Sequence, residues 1–150
     1  MSYEAEDIKS LTFKEGVRTR IQMYLGSADN EGAYQAFKEI INNATDEALA
    51  GYGNKIEIAV SEKENFIAVR DYGRGVPFLV KEDGTNVLVD VFSKAHTGGK
   101  FDDHVYKNSS GLNGVGASCT CLSSLKFEVQ SNRNGKCALL LLSAPCGSIL

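Results

Sequence analysis

The chain has 150 residues, a length that suits one domain. Its 43% hydrophobic and 23% charged residues match an ordinary globular protein and exclude a disordered one. The net charge of −3 excludes a chain whose main task is neutralising nucleic-acid phosphates, although a local basic patch remains allowed.

Residues 1–15 read as a polar arm. The first seven are acidic and lack a basic-then-apolar leader, so a cytoplasmic location is expected. Val17 to Gly26 is a basic, partly apolar segment ended by glycine. Asp29 or Asn30 can then cap a helix through about Ala50, where Gly51 and Gly53 stop it. Ala33, Phe37, Ile40, Ile41, Ala44 and Ala48 form its apolar stripe. Glu39, Asn43 and Asp46 line up beside that stripe, with Glu47 near them. On a bare helix such groups would be a solvated face, but Asn42-Asn43 in mid-helix is a mild anomaly, because Asn prefers caps and turns.

Lys55–Val60 and Phe66–Asp71 read as strands joined by a turn at Ser61–Asn65. Ile67, Val69 and Asp71 share one face by the period of two. Either Asp71 simply opens a turn, or it points into the core and needs a donor. Thr85 or Asn86 can start a short helix through Ala95, with Val87, Leu88, Val91 and Phe92 inward. A further helix starts at Ala117-Ser118, after a glycine-rich stretch. Leu125–Val129 reads as a strand, and Asn134-Gly135 is a hairpin signal leading into another from Lys136. Ala138–Leu142, the longest apolar run, is far short of the ~20 residues of a membrane span. Without a leader, Cys119, Cys121, Cys137 and Cys146 are expected as free thiols, and Cys119-x-Cys121 as packing rather than metal binding.

The fifteen glycines cluster at 73–75, 98–99 and 111–116. Gly111, Gly114 and Gly116 running into a helix suit a polyphosphate, because bare amides at a helix N-terminus point at anions. Lys100 after a glycine pair can add a cation. The Walker A pattern is absent, since Phe101 follows Gly98-Gly99-Lys100, and the Rossmann order of glycines is reversed.

Three motifs occur in order: a helix bearing Glu39, Asn43, Asp46 and Glu47; a strand ending in Asp71 before Gly73 and Gly75; and a glycine-rich lid. Together they resemble the Bergerat-type nucleotide fold. Glu39 to Gly51, Asp71 to Pro77, His96 to Asp102 and Ser110 to Ser118 are similar to segments of the ATPase subunits of type IIA DNA topoisomerases (the gyrase B and topoisomerase IV B family). The similarity runs over about residues 3–136.

The resemblance implies an ATP-binding and hydrolysing module that uses Mg²⁺ and couples ATP binding to subunit dimerisation and DNA strand passage. It makes Glu39 the general base and Asn43 the Mg²⁺ ligand, with Asp46 and Glu47 in the same nucleotide-binding set. It makes Asp71 the acceptor for the adenine amino group and Gly75, Val76 and Pro77 the pocket wall, with Tyr106 near the purine. Arg74 and Arg133 fall at the rim used by the family's inhibitors. Gly98, Gly99 and Lys100, with Gly111, Leu112, Asn113, Gly114, Val115 and Gly116, match phosphate contacts. Tyr3 and Ile8 fall where the family's arm crosses to a partner subunit. The A-type gyrase partner and DNA are further implied partners, mostly through regions outside this chain.

The implied fold is an α+β two-layer sandwich, a mixed sheet covered on one face by helices at about 31–50, 86–95 and 115–124. Asn113 stands where bacterial relatives often have His, and Arg20-Ile21-Gln22 replaces a proline-glycine before Met23. The domain is expected over 16–136, with 137–150 an atypical apolar tail in place of its remainder. A truncated ATPase module is therefore expected; the alternatives are a nucleotide-binding remnant without hydrolysis, or another ATPase of the same fold.

Overall fold

The computed structural model describes residues 10–97 and 114–143. Two short helices come first, α1 (Phe13–Thr19) and α2 (Ile21–Leu25). Thr12 and Glu15 form a reciprocal capping box at the start of α1. Arg20 leaves helical geometry between the two helices, and Gly26 ends the second at φ 79°.

The long helix α3 (Asn30–Leu49) is capped by Asp29, whose carboxylate accepts from the Glu31 N–H at 2.9 Å. Its C-terminus closes in a Schellman turn. Gly51, at φ 86°, donates to the Ala48 carbonyl at 3.0 Å, and Tyr52 donates to that of Glu47 at 2.9 Å. The expected apolar stripe is only partly covered. Ala33 is exposed, and the buried positions are Gly32, Ala44 and Asp46.

Strands β1 (Ile56–Ser61) and β2 (Phe66–Asp71) form an antiparallel hairpin, with Ile58 opposite Val69 and Ile56 opposite Asp71. Helix α4 (Val87–Ser93) is capped by Asn86 rather than Thr85. It turns Leu88 and Phe92 into the core, together with Asp90, which pairs with Lys94 at 2.7 Å. Helix α5 (Gly116–Ser123) precedes a second hairpin, β3 (Lys126–Arg133) and β4 (Lys136–Ser143). Both turn residues of that hairpin have positive φ, 53° at Asn134 and 72° at Gly135, as an Asn-Gly turn requires. Residues 137–143 continue β4 in unbroken register with β3.

The chain is α+β, as expected. Among the described residues, however, the strands form two separate antiparallel pairs rather than one mixed sheet. Helix α5 joins the parts. Cys119 and Leu122 pack with Val17 and Leu25 in one core, while Cys121 packs with Leu88 and Phe92 in another. Residues two apart on a helix point in nearly opposite directions, so α5 is buried on both sides. That explains its small, weakly polar sequence, Gly-Ala-Ser-Cys-Thr-Cys-Leu-Ser. The second core continues into the inner face of the hairpin through Phe127, Val129, Leu140 and Leu142. Burial pushes the thiols of Cys119 and Cys121 up to about 11. Both, with Cys137, are free cysteines. No described helix is long and apolar enough to cross a membrane.

Candidate active site

Helix α3, the turn after β2 and the start of α5 converge on one region. Glu39, Asn43, Asp46 and Glu47 succeed one another along α3, Asp46 being almost fully buried and the others half-buried. No buried side-chain polar atom among the described residues lacks a hydrogen bond.

Glu39 meets α5 at Gly116. A β-carbon at 116 would collide with the Glu39 carboxylate, so only glycine admits that group to the first turn of the helix. No side chain caps α5 there. The other carboxylate oxygen, Oε1, accepts from Gln35 Nε2 at 3.0 Å, and Gln35 Oε1 accepts from Lys38 Nζ at 3.1 Å. Sequence reasoning misses Gln35; its signal is the four-residue spacing to Glu39.

The turn from Asp71 to Pro77 is fastened on two sides. Glu47 accepts from Arg74 through the backbone N–H at 3.1 Å, Nε at 3.1 Å and Nη2 at 2.8 Å. From β3, Ser131 Oγ donates to the Val76 carbonyl at 2.7 Å and Arg133 Nη1 to the Gly75 carbonyl at 2.8 Å. Gly73 fits because a β-carbon there would lie 2.9 Å from both Asp71 Oδ1 and Glu47 Oε2. Gly75 adopts φ 71°.

Asp71 shares its strand face with Ile67 and Val69, as expected; Val69 is half-buried there, but Ile67 and Asp71 are exposed. Its donor is local, the Gly73 N–H at 2.8 Å from Oδ1, so the aspartate does open the turn. Arg74, held by Glu47, precedes Gly75 in the turn, and Arg133 donates to the Gly75 carbonyl. Pro77 is exposed, and Gly114 and Val115 lead into α5. The expected site residues Gly98, Gly99, Lys100, Tyr106, Gly111, Leu112 and Asn113, and the arm residues Tyr3 and Ile8, lie outside the described residues.

A carboxylate thus stands beside a helix N-terminus that no side chain caps, and a second opens a turn that contains glycines. Residues 28–139 match the family described as histidine kinase-, DNA gyrase B-, and HSP90-like ATPase, and the chain belongs to that family. It is similar to the B subunit of DNA topoisomerase 4 from Mycoplasma capricolum, 44% identical over 134 residues, covering 89% of this chain and 21% of that protein. It is equally similar to the B subunit of DNA gyrase from Thermus thermophilus, 44% identical over 137 residues, covering 91% of this chain and 22% of that one. The chain thus spans about a fifth of the length of these relatives. Its fold is similar to the crystal structure of the 43K ATPase domain of Thermus thermophilus gyrase B in complex with an aminocoumarin. The TM-score is 0.66 at 30% identity, over 91% of this chain and 36% of that one.

Proposed function

We propose that this chain is the ATP-binding module of a type II DNA topoisomerase, with the nucleotide lying between α3, the Asp71 turn and the start of α5. The observation that carries this reading is the approach of the Glu39 carboxylate to the bare first turn of α5. That turn has no side-chain cap and presents the positive end of the helix dipole, where a terminal phosphate would sit. A water between the phosphate and Glu39 can give its proton to the carboxylate as its oxygen attacks the terminal phosphorus, whose bond to the bridging oxygen breaks and releases ADP.

At the other end, the Gly73 N–H holds Asp71 Oδ1 and leaves Oδ2 to accept from the adenine amino group. Gly75, Val76 and Pro77 then form the wall beside the base. Asn43, one turn beyond Glu39, fits a Mg²⁺ ion. It offers a hard oxygen. A single protein ligand suits an ion that keeps waters and phosphate oxygens, and when bound it neutralises phosphate charge. Gly98, Gly99, Lys100 and Gly111 to Gly114 would complete the phosphate contacts, with Tyr106 near the purine. Dimerisation through Tyr3 and Ile8, an A-type partner and DNA strand passage belong to the larger protein that this reading implies.

Thermal unfolding with Mg²⁺ and a non-hydrolysable ATP analogue tests this function. Ligand at a hundredfold over Kd adds about 2.7 kcal/mol, or ~2–4 °C at this size. The shift is expected in the parent and lost in Asp71→Asn; a parent without a shift refutes nucleotide binding.

A further inference from the structure

Tyr52 is joined to Glu47 twice. Its backbone N–H closes the Schellman turn on the Glu47 carbonyl at 2.9 Å. Its ring lies 3.9 Å from the Arg74 guanidinium carbon, and that guanidinium holds both oxygens of the Glu47 carboxylate. The left-handed conformation of Gly51 sets where residue 52 emerges, so the end of α3 places the ring.

A guanidinium is flat and stacks on an aromatic face while its edge forks onto a carboxylate. At Arg74 both surfaces are used at once, which selects one side-chain conformation among the several that pairing with Glu47 alone would allow. The Arg74 backbone N–H is bound to the same carboxylate. Fixing the guanidinium therefore also fixes the peptide between Gly73, which holds Asp71, and Gly75, which Arg133 holds.

We propose that Tyr52 is a positioning residue for the adenine end of the nucleotide site, acting through Arg74. This rests on the nucleotide reading above. Nothing in it requires Tyr52 to touch the ligand. Tyr52 is 44% exposed, so removal of its ring is expected to leave the core intact.

The test titrates the 150-residue chain with ADP and with a non-hydrolysable ATP analogue, each with Mg²⁺, by calorimetry. Parent, Tyr52→Phe, Tyr52→Leu, Arg74→Met and the double variant Tyr52→Leu/Arg74→Met are compared. Tyr52→Leu is expected to weaken both ligands by the same factor, about three- to tenfold. Tyr52→Phe, which keeps the ring face, retains the parent's affinity. In the Arg74→Met background the leucine substitution costs nothing further.

A parent that binds while Tyr52→Leu binds equally well overturns the inference and leaves the nucleotide reading standing. An equal loss in both Arg74 backgrounds also overturns it, because Tyr52 would then act by another route. A parent that binds neither ligand overturns the nucleotide reading and this inference with it. If Tyr52→Leu lacks a cooperative unfolding transition, Tyr52→Gln replaces it with the same outcomes.

Discussion

The Glu39 carboxylate sits against the α-carbon of Gly116, in space that any side chain at 116 would fill. One residue belongs to the middle of α3 and the other to the first position of α5, so this contact sets how closely the two helices approach. Gly116→Ala must push the carboxylate aside. Overpacking of this kind costs ~1–3 kcal/mol. Urea unfolding should show that loss, and adding Glu39→Ala in the same chain should recover most of it, because the colliding group is gone.

Glu39→Ala by itself should leave affinity for the ATP analogue nearly unchanged while slowing phosphate release in single-turnover experiments. Loss of a general base lowers the rate by ~10²–10⁴. Release at the parent's rate would remove Glu39 from the base role.

Ser131 is buried, and its hydroxyl donates to the Val76 carbonyl at 2.7 Å. Ser131→Ala strands that carbonyl at a cost of ~1–3 kcal/mol. The loss should appear in chemical denaturation and also in weaker nucleotide binding, because the Asp71–Pro77 turn loses one fastening. Ser131→Thr, which keeps the hydroxyl, should bind more tightly than the alanine variant.

Burial raises Cys119 and Cys121 to about 11, above the ordinary thiol value. A thiol whose folded pKa is raised contributes stability that is complete below the unfolded pKa and is lost as pH climbs through the folded one. Stability attributable to these thiols should be constant to about pH 8 and decline between about 9 and 11. Replacing both with Ala or Val should flatten that decline in denaturation curves taken across the range. Among the described cysteines, native alkylation should reach exposed Cys137 first.

Much of the local structure is legible in the sequence because its signals are local. Asp29 and Asn86 cap their helices, and Asn134-Gly135 turns a hairpin. Glu39, Asn43 and Asp46 are readable together as one side of α3, with Glu47 near them. The break at Arg20 has no such signal, since neither glycine nor proline stands there. Ala33 is misplaced because periodicity says which residues share a face and not what covers it. Asp71 is ambiguous for the same reason; exposed at the strand end, it is satisfied by the Gly73 N–H. In β4, inward Leu140 and Leu142 and outward Leu139 and Leu141 are chemically alike, so alternation cannot distinguish strand from tail. The pairs Gln35–Glu39 and Tyr52–Arg74 depend on side-chain conformations and turn geometry that composition does not encode.

The burial of α5 on two sides has a consequence for dynamics. With Cys119 in one core and Cys121 in the other, the helix has no face along which to slide or roll without opening both. Its hydrogen-bonded amides, from Cys119 onward, should therefore exchange with solvent only through global unfolding. An anion arriving at Gly116 would meet an immobile cradle, and little of its binding energy would go to ordering the helix.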